Sequence, residues 1–313
     1  MAPPLSRFRS SFARVALGLA CCLAPGLLPA QPAAPAPTKI IFLAGPKDHG
    51  WAGRHEYEKD LRVLAASLEQ SANLKGVTTV VHVGPAPRNL DEYRDAAAIV
   101  IESSSDRSEK EIHPLFPPDP MTNGRGYDEP TTAFLKDLDA LIREKQIGVV
   151  VLHYANWVEN WAARGYYMSW FGGLWVQMVS RNPVDRWTMT PETPDHPVLR
   201  GVQPWTYRDE MFCRFHLPND RRRTNLLLAT PAEDKLGIGP QIASWAYQRD
   251  DGGRGFVYGG VDWHENMNLE DYRRFLLNGI AWAARLDVPA AGVQSPAPNV
   301  PPAPPPPPRI KVN

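Results

Sequence analysis

The sequence predicts an α/β fold, a mostly parallel sheet with helices on both faces. Three observations lead there. Residues 148–152 read GVVVL, a valine-rich run of the kind found in strands buried on both faces. Just before it, Phe134, Leu138, Leu141 and Ile142 recur at helical spacing within residues 132–145. Upstream, short apolar runs alternate with periodic segments, the pattern of strand–helix–strand crossovers.

In chain order, residues 39–44 (KIIFLA) form a first strand, stopped by Gly45-Pro46. A helix over 54–71 follows, with Tyr57, Leu61, Leu64, Ala65 and Leu68 on one face. The β-branched run 77–83 is a second strand, 89–94 a short helix, and 97–102 a third strand. Residues 103–131 carry three serines in a row, several prolines and Asn123-Gly124, and have no periodicity. A loop this long inside a domain is expected either to cover the strand ends or to be a surface insertion. Residues 157–179 are aromatic-rich and pack as helix and loop. Further strands are expected at 187–190, 211–215, 225–230, 241–247 and 254–260. A closing helix at 269–285 takes Asn268 as N-cap and Asp271 in its first turn.

The two ends differ from this body. Arg7, Arg9 and Arg14 precede an apolar run at 15–28 and a Leu28-Pro29-Ala30 site, the layout of a secretory signal over residues 1–30. Cys21 and Cys22 open a lipoprotein reading, but the residues before them fit a lipid-attachment box poorly. Residues 31–38 are a Pro/Ala-rich spacer, 39–293 the domain, and 294–313 a proline-rich tail expected to be extended and solvated. The mature protein is therefore expected to be exported, periplasmic or extracellular, without a transmembrane span. The 34 basic residues, less the three arginines of the leader, face 34 acidic ones, which argues against a nucleic-acid partner. Cys213 is the single cysteine beyond residue 30, so an intramolecular disulfide or multi-cysteine zinc site is excluded there. It reads as a small buried hydrophobe.

Four stretches together carry a resemblance: FLAGPKDHG at 42–50 with His55-Glu56; VLHY at 151–154; PDHPVLRG at 194–201 with Asp209-Glu210; and RGFVYGG at 254–260 with Trp263-His264 and the helix through Trp282. The sequence resembles the ThuA-like (trehalose utilisation) family over nearly all of residues 39–290, most of all the exported forms ending in a valine-proline segment, here Val288-Pro289. The resemblance implies a flavodoxin-like sheet of the class I glutamine amidotransferase-like superfamily. In that superfamily's glutaminases a cysteine sits at the turn after a central strand, with a histidine later. Here the turn carries His153, so the resemblance implies the fold without the glutaminase reaction. The family name connects it with disaccharides, through keto-sugar intermediates.

Ligands of open α/β sheets sit at the carboxyl ends of the strands. His49, His55, His153 and His264 each fall at or just after such an end. His153 and His264 are the expected catalytic pair, with Glu210 positioning them; His49, His153 and His264 also make an expected donor set for a divalent ion such as zinc. His49, Trp51, His55, Glu56, Tyr154 and Trp263 are expected to contact the substrate, the indoles by stacking on a sugar face. Asp262 orients His264 or caps a turn, and His196 reads as structural. Without HExxH, a zincin-type peptidase has no support, and without a P-loop or GxGxxG neither has a nucleotide cofactor. The expectation is an exported protein acting on a carbohydrate or keto-sugar by histidine-based or metal-assisted chemistry. A non-catalytic module binding a glycan or small ligand at the envelope, and a metal-dependent amide or ester hydrolase, stand beside it.

Overall fold

The computed structural model describes residues 36–118 and 126–305. The leader at 1–30, the start of the spacer, and 306–313 lie outside them. The elements are β1 (Thr38–Ala44), α1 (Tyr57–Glu69), β2 (Val77–Val83), β3 (Ala96–Glu102), α2 (Glu129–Glu144), β4 (Gly148–Leu152), α3 (Trp161–Phe171), β5 (Val184–Pro191), β6 (Trp205–Glu210), β7 (Arg223–Pro231), β8 (Gln241–Gln248), β9 (Arg254–Tyr258) and α4 (Glu270–Ala283). Among the described residues no helix is long and apolar enough to cross a membrane.

The strands form one nine-stranded sheet in the order β2-β1-β3-β4-β9-β8-β7-β5-β6. Pairings from β2 to β9 are parallel; those from β9 to β6 are antiparallel. The fold is α/β as expected, but its sheet is mixed rather than mostly parallel. The physical reason lies in the faces. All five residues of β4 are buried, as parallel strands covered on both sides demand, whereas β5 alternates buried and exposed residues.

Residue parity sorts the parallel strands into two cores. Ile40, Phe42, Val150 and Leu152 pack with α1 and α4; Ile41, Leu43, Val149 and Val151 pack with α2 and α3. Gly148 is needed at the start of β4 because a Cβ there would collide with the Ala283 carbonyl of α4.

Three local expectations change. The strand placed at 211–215 lies instead at β6, and residues 211–215 cross the carboxyl end of β9, where the Phe212 N–H bonds the Gly259 carbonyl (3.0 Å). Their apolar character serves burial there, with Met211, Phe212 and Cys213 nearly inaccessible. The N-cap of α4 is Leu269, not Asn268. Asn268 holds the later chain: its Oδ1 accepts from Val300 N–H (2.9 Å) and its Nδ2 donates to Val300 O (2.7 Å). Glu265 Oε2 accepts from Ala303 N–H (2.7 Å), and Val300 is buried. Residues 294–305 thus lie against the domain as a strap rather than as a solvated tail, because paired side chains supply the backbone partners that proline-rich chain lacks.

Candidate functional site

Three chain segments converge over the carboxyl ends of β4 and β9. The first leaves β1: the loop 45–56 pairs with residues 262–264 through His55 N–H to Asp262 O (3.0 Å) and His264 N–H to Gly53 O (2.9 Å). The second is the turn after β4. The third is the end of β6 with the chain at 259–263. His55 and His153 both adopt left-handed backbone, with φ of 51° and 50°. That conformation is uncommon outside glycine and collects at functional sites.

Asp209 builds the third segment. Its buried carboxylate accepts from the N–H groups of Val261 (3.0 Å), Asp262 (3.1 Å) and Trp263 (3.3 Å). This holds Val261 at a φ of 99°, costly for a β-branched residue, and turns Asp262 inward. Gly260 permits the approach, since a Cβ there would press on the Asp209 carboxylate.

His55, His153, Glu210 and Asp262 then each bring one donor atom to a common point, all within 4.8 Å of one another. His55 Nε2 lies 3.2 Å from Asp262 Oδ1, though not in hydrogen-bonding alignment, and 3.7 Å from Glu210 Oε2. His153 Nε2 lies 4.0 Å from Glu210 Oε2. His153 Nδ1 donates to the Gly259 carbonyl (3.2 Å), which leaves Nε2 as the lone-pair nitrogen. His55 Nδ1 is held 3.3 Å from the Tyr57 hydroxyl, itself bonded to Ser104 Oγ (3.0 Å). Among the described residues, His153 Nε2 and Asp262 Oδ1 are buried without a hydrogen-bond partner.

Burial sets the protonation states. It lowers His153 to about 3, and pulls His55 far down with help from the neighbouring His153, His49 and Arg54. Both imidazoles are neutral at pH 7. Burial, reinforced by Asp209, pushes Asp262 up to about 8, opposed by Arg54; burial also raises Glu210. Arg54 reaches both acids, at 2.6 Å from Asp262 Oδ2 and 3.0 Å from Glu210 Oε2.

The cluster opens into a cavity of about 420 Å³ lined by His49, Arg54, His55, Glu210, Phe212 and Asn182 on one side, and by Arg107, Glu111, Tyr154 and Trp157 on the other. The irregular 103–131 stretch supplies Arg107 and Glu111 to the cavity wall, while its Leu115 and Phe116 pack in the core beside α2 and α3. Glu111 accepts from the Tyr154 hydroxyl (3.1 Å), and Arg107 sits over Trp157 (4.9 Å).

The expected site residues divide accordingly. His49 stacks on His55 (4.0 Å between rings) and, with His55, Tyr154 and Glu210, faces the cavity; His153 lies beneath it. His264 does not join them. Its Nδ1 is 2.6 Å from Asp60 of α1, and the donor set contains His55, Glu210 and Asp262 in place of His49 and His264. Asp262 is held inward by Asp209, whereas His264 turns toward α1. Asp262 therefore does not orient His264; Asp60 does. Trp51 and Trp263 are outside the cavity, with Arg54 packed over both (4.6 and 4.4 Å). Glu56 caps the Gly53 N–H (2.9 Å) and pairs with Lys47 (3.0 Å) and Lys59 (2.8 Å). Sequence reasoning missed Arg54, Arg107, Glu111 and Asn182. Arg54 stands beside His55, but its acidic partners are 156 and 208 residues away.

The ThuA family model, described as trehalose utilisation, matches residues 128–283, the span from α2 to α4. A putative ThuA-like protein from Bacteroides uniformis has the same fold, with a TM-score of 0.57 at 13% identity over 82% of this chain and 95% of that one. Across residues 128–283 this chain is ThuA-like. A glutamine amidotransferase from Thermotoga maritima aligns less well, with a TM-score of 0.44 at 9% identity over 79% and 98% of the two chains. No curated protein matches. The ThuA match includes His153, Glu210 and Asp262, while His55 lies before it.

Proposed function

We propose that this ThuA-like chain is an exported enzyme acting on a carbohydrate or oxidised (keto) sugar, with His55, His153, Glu210 and Asp262 as its reactive centre. The convergence of two neutral imidazole nitrogens and two carboxylates at the floor of a polar cavity carries the reading. The family description, trehalose utilisation, supports the substrate class.

The four groups fit a divalent ion such as zinc. Their donor set is nitrogen and oxygen, two of the donor atoms are buried and unpartnered, and both imidazoles are oriented by their other nitrogen. Such an ion would supply a polarised carbonyl or an activated water. The protein's own groups do the rest. His49, which faces the cavity outside the donor set and has its Nδ1 2.6 Å from Asp48 Oδ1, moves the proton beside a substrate carbonyl. Arg54 fixes both carboxylates, and Arg107, Glu111 and Asn182 line the cavity with groups able to bond a sugar's hydroxyls. Glutaminase chemistry has no place in this reading. His153 occupies the turn after β4, and Cys213 is buried with its thiol pushed up to about 12.

The test is metal content of untagged protein prepared without chelator, beside His153→Asn, followed by turnover on a panel of sugars and keto-sugars. Asparagine tolerates the left-handed backbone. Near-stoichiometric metal and turnover, both lost in a folded variant, are expected. A parent that neither binds nor turns over any sugar overturns the assignment. Saturable binding without turnover leaves a ligand-binding module.

A further inference from the structure

A second concavity, of about 390 Å³, lies on the antiparallel side of the sheet. Arg186 of β5 and Arg208 of β6 line it and are direct cross-strand partners. Like charges facing each other across a strand pair are destabilising. Among the described residues neither guanidinium has a carboxylate at ion-pair distance, whereas Arg54, Arg107, Arg164 and Arg222 each do. Arg208 is not adrift, since it packs 5.1 Å over the Trp263 ring. The opposite wall is the strap, at Val300 and Pro302. The one acidic lining residue, Glu265, has an oxygen engaged by the Ala303 N–H.

Two unpaired arginines on directly paired strand positions, both exposed and lining one hollow, one of them packed on an indole, offer a fork for an oxyanion. We propose that this hollow is a binding site for the oxyanion of a small acidic ligand: a carboxylate, sulfate or phosphate. The site is separate from the histidine cavity, and Trp263 lies between the two sets of groups, beneath Arg54 of one and Arg208 of the other. It stands whether or not the proposed enzymatic activity does.

The experiment is calorimetric titration of the full chain with sodium sulfate, inorganic phosphate and glucuronate, with glucose as the uncharged control, at constant ionic strength. Saturable binding of at least one anion is expected, weakened roughly 10-fold in Arg186→Gln and in Arg208→Gln, as loss of one charge-assisted bond predicts. Arg186→Lys and Arg208→Lys, which keep the charge and disturb the strands least, are expected to fall between. His153→Asn should bind as the parent does. The anion bound most tightly identifies the group. No saturable binding overturns the site. So does equal affinity in the arginine variants, equal affinity for glucose and glucuronate, or loss of anion binding in His153→Asn alone.

Discussion

His153 and His264 follow adjacent strands, β4 and β9, and the sequence offers them as a pair. Their surroundings make them opposites. His153 spends Nδ1 on a backbone carbonyl and leaves Nε2 buried, unpartnered and facing two carboxylates. His264 spends Nδ1 on Asp60, a buried carboxylate of α1, and so ties the turn after β9 to the first helix. The functional signal is an imidazole whose second nitrogen is left over, not an imidazole beside an acid.

The largest effect should separate the two. His153→Asn is expected to lower metal affinity and turnover by about 100-fold or more, while His264→Asn changes either by less than about 3-fold. Metal analysis and kinetics of both variants decide it; equal losses would erase the distinction. Next comes pH. A bound cation needs Asp262 ionised, and its pKa near 8 makes protons compete below that value, whereas His153 at about 3 offers no competition. Metal affinity should therefore rise with pH between 6 and 8, by up to about 10-fold per unit for one proton released. Competition titration at the two pH values reads this, and a flat profile would remove Asp262 from the donor set.

Stability should move the other way between the two histidines. His264→Asn strips Asp60 of its partner in a buried setting and is expected to cost about 1–3 kcal/mol in urea unfolding. An unchanged midpoint would mean that the pair is not a structural tie. Smallest, Asn268→Ala removes the two bonds to Val300 beside the same turn and should cost about 1 kcal/mol. Added to His264→Asn, it tests whether strap and turn act as one unit, through the departure of the double variant from additivity.

What was legible in the sequence follows the same division. The parallel half announced itself through continuous apolar runs such as GVVVL, and its strand ends located His55 and His153. The antiparallel strands were visible but not their direction, because alternation in β5 tells of one wet face and not of which way the neighbour runs. At β6 the charged, alternating WTYRDE lost to the apolar MFCRF beside it, which is buried for crossing β9 rather than for pairing in the sheet. The inward turn of Asp262 had no local signal, since it is imposed by Asp209, more than fifty residues earlier.

One consequence of the mixed sheet concerns inheritance. His153 is delivered by the parallel half and Glu210 by the edge of the antiparallel half, and the two meet only where residues 211–215 fold back over β9. The nitrogen donors and this carboxylate are therefore free to diverge on separate schedules. Substitution at Glu210 changes the acid while His153 stays held by the Gly259 carbonyl, so one scaffold can try new proton chemistry over an anchored imidazole.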